Sequence, residues 1–348
     1  MASKNSTDDG AIKIGVAIPL TGNYGSIGEK IKNGLDLAKQ DIESKNPGVS
    51  IKLVYEDACL PKDITSAVQK LINVDEVRVI NQFCAIGLVP SIDITESKKV
   101  ISVGVAANVS DLTSKKYYFS PNFSVKENAT TIANFGTNTL KAKKAAFLYY
   151  NTQFGKDYRR YTGEQFVASG GEIVADEMVN LDITDFRTNL AKIKKAKPDI
   201  IFVTHLTGGL GTIIKQAKEL GMKTPFVGNY QNEDSLVLNI AGSAAEGFII
   251  SSADPEILSA NNSEFKQAYQ NKHDVAPDVF ASNAYDALRL EVPAYIACKG
   301  DTDCIAQELH KVANYKGVSG TITIDQNGFA SKPTVFKIVK DGKFVLYK

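Results

Sequence analysis

Short apolar runs alternate with segments in which apolar residues recur every three or four positions along most of the chain. The runs predict β-strands and the periodic segments predict amphipathic helices. Predicted strands fall at 12–20, 49–55, 77–80, 100–105, 145–150, 200–204, 225–227 and 247–251. Helical periodicity is clearest at Ile31/Leu35/Ala38/Ile42, Ile64/Val68/Leu71, Phe186/Leu190/Ile193 and Ile213/Ala217/Leu220. Because nearly continuous apolar strands are typical of parallel sheets covered on both faces, the pattern predicts an α/β fold.

This alternation is interrupted twice. Ser120-Pro-Asn-Phe123 breaks the first strand–helix series, and Ser251-Ser-Ala-Asp-Pro255 breaks the second. The tail is strand-like at 320–325 and 334–347, with turns at 326–328 and 341–342. Two α/β lobes joined by several crossings fit these breaks better than one sheet, and 348 residues are enough for two domains.

The first strand and its loop suggest a small-molecule site. The strand runs into Thr21-Gly22 and a loop with Gly25 and Gly28, and the second strand ends in Glu56-Asp57-Ala58-Cys59. In open α/β sheets, ligands bind at the carboxyl ends of the strands. Asp57 could act as a base there, but a lone carboxylate after a strand more often caps a helix or accepts from loop amides.

Charge and composition exclude several classes. The 40 basic and 39 acidic residues nearly cancel, and no basic stretch indicates nucleic-acid binding. No apolar run is long enough to span a membrane. The first ten residues are polar and form no signal peptide, so we expect either an expression start on a mature exported chain or the tether of a lipoprotein; a cytosolic protein is the alternative.

The four cysteines favour two local disulfides. Cys59 and Cys84 each follow a predicted strand, and neighbouring parallel strands would bring such ends together. Cys298 and Cys304 flank a short loop rich in turn residues. We therefore favour 59–84 and 298–304 among the three connectivities, with four free buried thiols as the alternative. Two disulfides would indicate an oxidising compartment.

Enzyme signatures are missing from the sequence. There is no nucleophile elbow, phosphate-binding loop, metalloprotease motif or C-x-x-C. His205 follows the strand at 200–204, where a ligand would lie, whereas His273 and His310 are expected at the surface. We predict no catalytic residues, no metal ligands and no cofactor, which disfavours an enzyme on a flavodoxin-like sheet.

A set of short motifs, taken in order, resembles one family over about residues 12 to 345. The resemblance is to the leucine/isoleucine/valine-binding proteins, which are type I periplasmic solute-binding proteins of ABC transporters. The motifs are Pro19-Leu-Thr-Gly22, Tyr55-Glu-Asp-Ala-Cys59, Cys84, Ala106-Ala107, Gln153-Phe154-Gly155, Gly228, Asn239-Ile-Ala-Gly242, Ala245-Glu-Gly247 and Tyr285-Asp286-Ala287.

The resemblance implies two α/β lobes with mostly parallel sheets, joined by a hinge of three crossings, with one solute in the cleft. The N-terminal lobe would be 12–124 and 255–333, and the C-terminal lobe 125–254 and 334–348, after a disordered tether or expression remnant at 1–11. The family's disulfide between the ends of its second and third strands falls on Cys59 and Cys84.

The pocket implied by the resemblance departs from the family at several positions. The family's carboxylate-binding serine and threonine fall at Ala85 and Asn108, and its ammonium-pairing glutamate falls at Tyr230. The family's tyrosine before Gly155 is replaced here by Phe154, and the family's aromatic residue after the strand at 200–204 is replaced by Leu206. The implied ligand contacts are Tyr24, Ile27, Ala85, Ile86, Ala106, Ala107, Asn108, Phe154, His205, Leu206, Tyr230, Gln231 and Phe280; some of these are alternatively ordinary core residues.

These departures predict the ligand class. A buried ammonium needs an anionic or well-matched acceptor. The phenol of a tyrosine supplies a large ring and a hydroxyl, but no negative charge. Backbone N–H groups at helix starts near Ala85 and Asn108 would still receive a carboxylate. We therefore expect an extracytoplasmic, periplasmic solute-binding protein of an ABC importer, monomeric, with a membrane permease as partner and no nucleic acid. Its solute would be a small hydrophobic amino acid or an apolar or aromatic carboxylate. The alternative is a ligand-sensing module of the same fold acting through a receptor, and a lipid-anchored native precursor stays open.

Overall fold

The computed structural model describes residues 10–105, 115–253 and 259–348, with side chains omitted at Asn23, Ala85, Ile86 and 259–261. Its strands are β1 Ile12–Ile18, β2 Ile51–Asp57, β3 Val79–Gln82, β4 Ile101–Gly104, β5 Tyr118–Phe123, β6 Lys144–Tyr150, β7 Glu172–Val179, β8 Ile200–Thr204, β9 Phe226–Gly228, β10 Ile249–Ala253, β11 Tyr315–Gly317, β12 Gly320–Ile324, β13 Phe329–Ser331, β14 Thr334–Lys340 and β15 Lys343–Leu346.

Helices follow most of the parallel strands. They are α1 Gly25–Lys45, α2 Pro61–Asn73, α3 Ala85–Ser97, α4 Val125–Asn134, α5 Gln153–Ala168, α6 Arg187–Ala196, α7 Thr207–Glu219, α8 Ser235–Ala241, α9 Ser259–His273, α10 Val279–Ala297 and α11 Thr302–His310. Short 3₁₀ turns lie at Gly22–Tyr24, Tyr230–Asn232 and Gly242–Ala245, and a π-helical turn at Phe135–Thr139 extends α4.

The chain forms two compact units. Within the described residues, the N-terminal unit contains 10–105, 115–122 and 261–330, and the C-terminal unit contains 123–253, 259–260 and 331–348. The described chain passes between them at 122–123, 260–261 and 330–331.

The N-terminal unit is built on an eight-stranded sheet in the order β11-β12-β13-β5-β4-β3-β1-β2. Strands β2, β1, β3, β4 and β5 are mutually parallel, and β11 pairs antiparallel with β12. Alternate residues of β1 serve opposite faces: Ile14, Val16 and Ile18 pack with α1 and α10, whereas Ala17 packs with α2. Helices therefore cover both faces of this sheet, which explains the continuous apolar strands.

The C-terminal unit repeats this plan with a seven-stranded sheet in the order β15-β14-β10-β9-β8-β6-β7. The strands from β7 to β10 pair in parallel, and β14 and β15 add an antiparallel edge. Its core joins β6 and β8 to α6 and α7 through residues such as Leu148, Val203, Ile193 and Ile213. Two α/β units with mostly parallel sheets confirm the predicted fold class.

Several predicted boundaries were wrong. The strand predicted at 77–80 is β3, Val79–Gln82, and its polar end is fully buried. The breaks predicted at 120–123 and 251–253 lie instead in β5 and β10; the rest of the second, 254–255, is outside the described residues. Pro121 lies beyond the β4–β5 ladder, which ends at Val103–Phe119, so it removes no N–H from that pairing.

Both predicted disulfides are confirmed. Cys59–Cys84 joins the loops after β2 and β3, with Cα atoms 5.3 Å apart, and Cys298–Cys304 joins the end of α10 to the first turn of α11 at 5.6 Å. The latter loop is shorter than predicted, because Asp301 caps α11 by accepting from the Cys304 N–H. In the described part of the chain, no helix is long and apolar enough to cross a membrane.

A buried amide–carboxyl pair lies in the core of the N-terminal unit. Asn81 Nδ2 on β3 donates to Glu291 Oε2 on α10 at 2.8 Å, and the two residues are 0% and 1% exposed. The other oxygen of each group, Asn81 Oδ1 and Glu291 Oε1, has no hydrogen-bond partner among the described residues. Burial raises the pKa of Glu291 to about 8, against a smaller lowering by the Asn81 bond. Glu291 is therefore mainly a neutral acid at pH 7.

Candidate functional site

In the C-terminal unit, the turn between β6 and α5 places Phe154. Thr152 caps α5 by accepting from the Gly155 N–H at 3.2 Å. A side chain at position 155 would collide with the Tyr150 carbonyl, so glycine allows the helix to start directly against the strand end. The buried Phe154 ring then lies 6.3 Å from the ring of Tyr150 and 4.8 Å from that of Tyr158.

His205 lies at the carboxyl end of β8, as the sequence predicts. Its ring is 6% exposed and lies 5.6 Å from Tyr150 and 5.4 Å from Phe186. Burial lowers the pKa of His205, against a smaller raising by the Leu206 carbonyl, so the imidazole is neutral at pH 7. Nδ1 is 3.2 Å from the Leu206 carbonyl oxygen, and Nε2 has no hydrogen-bond partner among the described residues. The neighbouring Leu206 is half-buried.

Tyr230 follows β9 in a capped 3₁₀ turn. The Asn229 side chain accepts from the Gln231 N–H at 3.0 Å, and Asn232 Nδ2 donates to the His205 carbonyl at 3.1 Å, which ties the loops after β8 and β9 together. The Tyr230 ring is 2% exposed and stacks on Phe123, with centroids 4.5 Å apart and planes at 26°. Gln231 is half-buried beside it.

A cation lies next to this stack. Lys332 Nζ is 5.4 Å from the centroid of the Phe123 ring, and the lysine is only 3% exposed. Phe123 and Lys332 follow two of the points at which the chain enters the C-terminal unit. The quadrupole of the Phe123 ring helps to stabilise the buried ammonium of Lys332.

We name the rings of Phe123, Tyr150, Phe154, Tyr158, His205 and Tyr230 the aromatic cluster. The Tyr158 hydroxyl donates to Asn128 Oδ1 at 2.8 Å, and the Ser251 hydroxyl donates to the same oxygen at 3.0 Å. Burial raises the pKa of Tyr158, with smaller contributions from Tyr230 and Tyr150. The cluster is therefore mainly apolar, and Asn128 holds the Tyr158 hydroxyl in place.

The carboxylates that neighbour the cluster in sequence are already engaged. Glu233, three residues after Tyr230, pairs with Lys337 and accepts from the Ser252 hydroxyl. Asp157, which is 1% exposed, accepts from Gln153 at 3.1 Å and pairs with Arg160 at 3.1 Å. Neither carboxylate is an uncompensated anion that a ligand ammonium would neutralise.

In the N-terminal unit, the predicted contacts lie at the first strand–helix turn and at the start of α10. Tyr24 and Ile27 are half-buried at the beginning of α1, and burial raises the pKa of Tyr24. Phe280 is 5% exposed in the first turn of α10, and its ring meets that of Phe83 edge-on at 5.9 Å.

The loop after β3 is fixed by backbone constraints. Cys84 has φ of +71°. Helix α3 begins at the next residue, Ala85, which agrees with the helix start expected near this position. A Cβ at Gly87 would lie 2.5 Å from the Cys59 carbonyl oxygen and 2.7 Å from Ile64, so only glycine fits. Ile86 lies in the same first turn, and the predicted contacts Ala106, Ala107 and Asn108 lie outside the described residues.

Asp57 fulfils the structural alternative set out from the sequence. Its carboxylate accepts from the Leu20 N–H at 2.8 Å and from the Thr21 hydroxyl. The Thr21 bond is the main reason that the pKa of Asp57 is lowered. The residue holds the loop after β1 against the end of β2.

A family model for periplasmic binding proteins matches residues 11–343. The chain belongs to the periplasmic binding protein family. This periplasmic binding protein is 26% identical over 322 residues to the Leu/Ile/Val-binding protein of Citrobacter freundii, covering 91% of this chain and 87% of that protein.

Two solved structures share its fold and carry different ligands. One is the branched-chain amino acid transporter substrate binding protein LivJ of Streptococcus pneumoniae in complex with isoleucine, with a TM-score of 0.86, 25% identity and coverage of 96% and 97%. The other is a solute binding protein of an ABC transporter from Rhodopseudomonas palustris BisB5 in complex with 3,4-dihydroxy benzoic acid, with a TM-score of 0.85, 27% identity and coverage of 96% and 95%.

The structure brings some predicted residues of this periplasmic binding protein together and adds others. Phe154 and His205 both meet Tyr150, and Asn232 links the His205 and Tyr230 loops. Sequence reasoning missed Phe83, Phe123, Tyr150, Tyr158 and Lys332. Tyr150 is the last residue of a predicted strand, and Phe123 is the last residue of a predicted break. Both positions could therefore have been predicted as ligand contacts from the sequence.

Proposed function

We propose that this chain is the extracytoplasmic solute-binding component of an ABC importer, working as a monomer in the periplasm with a membrane permease. Support comes from its family membership and from the two relatives of known ligand, which are named as transporter proteins. The proposed ligand contacts are the residues inferred from the sequence, with Tyr24, Ile27 and Phe280 on the N-terminal unit and Phe154, His205, Leu206, Tyr230 and Gln231 on the C-terminal unit.

Within this function, the proposed ligand is a small apolar or aromatic carboxylate that lacks a free α-ammonium. The observation that carries the proposal is Tyr230. It stands where the resemblance places the ammonium-pairing glutamate, and its ring is stacked on Phe123 instead of offering a charge. Its neighbour Glu233 does not replace that charge, because Lys337 and Ser252 already hold it.

The energetic argument favours this class over leucine, isoleucine and valine. A buried ammonium without a paired anion costs several kcal/mol, on the order of 3–5. An apolar or aromatic body, by contrast, gains on the order of 25 cal/mol per Å² buried, plus ring–ring contacts with the aromatic cluster.

The two relatives mark out the alternatives. LivJ holds isoleucine, an amino acid, and the protein from Rhodopseudomonas palustris holds 3,4-dihydroxy benzoic acid, an aromatic carboxylate. The two relatives are 25% and 27% identical to this chain, so sequence identity does not favour either ligand class. The proposal therefore rests on Tyr230 and Phe154. In the proposed complex, the neutral His205 provides one polar contact through Nε2.

Calorimetry on ligand-stripped, refolded protein tests the proposal. We expect benzoate or 4-methyl-2-oxopentanoate to bind more tightly than leucine. The oxo acid has the same side chain as leucine but no α-ammonium, so this pair isolates the effect of the ammonium. Tyr230→Ala should weaken binding by about 2 kcal/mol, as expected for a buried aromatic contact. Tyr230→Phe should keep most of the affinity, and Tyr161→Ala, on the outer side of α5, serves as the matched control.

Three results would contradict the proposal. Tight binding of leucine without binding of the acids would show that another group accepts the ammonium. A gain in affinity for the natural ligand in Tyr230→Glu would show that the tyrosine is not a selective contact. Equal loss in Tyr230→Ala and Tyr161→Ala would also argue against a direct role.

A further inference from the structure

A cavity lies in the N-terminal unit, among the C-terminal part of α1, α9, α10 and β11. Its volume is about 340 Å³, whereas two other cavities hold about 10 Å³ each, which is room for one water molecule. None of the ligand contacts proposed above lines it. Pockets for small ligands begin at roughly 300 Å³, so this cavity is large enough for one.

The walls of this cavity are held by internal contacts. The buried rings of Phe265 and Tyr285 lie 4.7 Å apart, and the Tyr285 hydroxyl donates to Asp41. Asp286 accepts from the N–H groups of Val318 and Ser319 at 2.9 Å and 2.7 Å, which anchors the segment after β11 to α10. These contacts hold Tyr285, Asp286 and the segment after β11 in place around the cavity.

Arg289 provides a recognition group in this cavity. Its guanidinium lies 5.9 Å from the centroid of the Tyr285 ring and forms a side-chain hydrogen bond with Tyr315. A guanidinium has five N–H donors in a planar fork, so donors remain after one bond to a phenol. A half-buried arginine of this kind suits a carboxylate, which it binds in a bidentate manner.

The lining is balanced in charge. Three basic residues, Lys45, Arg289 and Lys316, face three acidic ones, Asp41, Glu264 and Asp286. Asp41 and Asp286 are engaged by Tyr285 and by the 318–319 segment. The side chains of Lys45 and Glu264 form no hydrogen bond or ion pair with any described residue, so one charge of each sign is available to a ligand.

We propose that this cavity binds a small zwitterion with an apolar or aromatic side chain, such as a free amino acid. Its carboxylate would meet Arg289 and Lys45, its ammonium would meet Glu264, and its side chain would lie against Phe265 and Tyr285. A ligand with only a negative charge would be repelled by Glu264, and a ligand with only a positive charge would be repelled by Arg289. This ligand class differs from that proposed for the aromatic cluster, so the two sites are separable.

Three probes of one shape test the charge requirement: phenylalanine, 3-phenylpropionate and phenethylamine. Amide NMR shifts at Lys316 and Val318 in the full chain report binding at this cavity. Phenylalanine should bind most tightly of the three. Glu264→Gln should weaken phenylalanine several-fold and leave 3-phenylpropionate unchanged, whereas Arg289→Gln should weaken both by about tenfold.

Matched controls make the result decisive. Lys266→Gln, on α9 but outside the lining, should change nothing. Lys45→Gln and Glu264→Gln alter exposed side chains, so they test the proposal even if Arg289→Gln fails to fold. No shifts at Lys316 and Val318, equal binding of all three probes, or phenylalanine binding lost in Tyr230→Ala but not in Arg289→Gln would overturn the proposal.

Discussion

Glu291→Gln should remove a large pH dependence from the stability of the N-terminal unit. The wild-type carboxyl has a pKa of about 8 in the folded chain, against 4.5 as its ordinary value. Below pH 4.5 the group is protonated in both states, and its contribution to stability is fully present. As pH rises, the unfolded chain ionises first, so this contribution falls until the folded pKa is passed.

The size of the effect follows from the two pKa values. Their difference is 8 − 4.5 = 3.5 pH units, with both values from the same group. At about 1.36 kcal/mol per unit, the free energy of unfolding should fall by about 4 to 5 kcal/mol between pH 4.5 and pH 8. This is a large part of the roughly 5–15 kcal/mol of a typical domain.

Glutamine reproduces the protonated acid without its titration. Its carbonyl oxygen can accept from Asn81 Nδ2, and its amide can donate to Asn81 Oδ1, the atom that has no partner among the described residues. Near pH 5 the variant should be about as stable as wild type, and at pH 8 it should be more stable by several kcal/mol.

Urea unfolding at pH 5, 6, 7 and 8 measures this directly, because the midpoint shifts while the slope is retained. Glu164→Gln, an exposed carboxylate on α5 with no hydrogen bond or ion pair to a described residue, is the control for loss of one negative charge. Parallel pH profiles for wild type and Glu291→Gln would refute the reasoning. So would a glutamine variant that is less stable at pH 8.

Three further changes have expected outcomes. Gly87→Ala should lower the melting temperature by several degrees at least, because its Cβ would meet the Cys59 carbonyl oxygen at 2.5 Å. Gly48→Ala is the control for backbone strain alone, because φ is +107° there and a Cβ would have no atom within 4 Å. Replacing both Cys59 and Cys84 by alanine should lower the free energy of unfolding in urea by about 3.5 kcal/mol, since this bond closes a separation of 25 residues. Replacing Cys298 and Cys304, which are 6 residues apart, should lower it by about 2.3 kcal/mol. An equal cost for both pairs would contradict the loop-length argument. Asn128→Ala should be destabilising by about 1–3 kcal/mol in thermal unfolding, because the buried hydroxyls of Tyr158 and Ser251 lose their shared acceptor. A stability equal to that of Thr130→Ala, whose half-buried hydroxyl donates to the Lys126 carbonyl of the same helix, would argue against that network.

Strand positions could be predicted wherever apolar runs ended at polar residues. The prediction for 200–204 coincides with β8, because Asp199 and His205 bound a continuous apolar run. The bounds predicted for β3 were two residues too early, because Asn81 and Gln82 are polar yet fully buried. Their partners are Glu291, 210 positions away, and Ser91 and Ser102, and such distant compensation leaves no local signal.

The candidate site was predictable as a set of loop positions but not as a set of contacts. The carboxyl ends of β6, β8 and β9 were identified, and with them Phe154, His205 and Tyr230. Tyr230 stacks on Phe123, a residue 107 positions earlier in the sequence, with four strands and four α-helices between them, so neither residue indicates the other. The same limit applies to Lys332, whose burial depends on a third passage of the chain.

The turn at Cys84 shows how a site can be retained while its side chains change. The disulfide to Cys59, the left-handed backbone of Cys84 and the tight fit of Gly87 all act on the same four residues. Together they fix where α3 begins, independently of which side chain stands at position 85. A helix start leaves its first N–H groups without partners in the helix, and those groups suit a carboxylate. In the proposed site, alanine at position 85 would lack the hydroxyl donor that the resemblance places there but would keep the backbone N–H groups, whereas Tyr230 would lack the anion that balances an ammonium. The two departures would act on different ends of the proposed ligand, and together they favour a carboxylate without an amine.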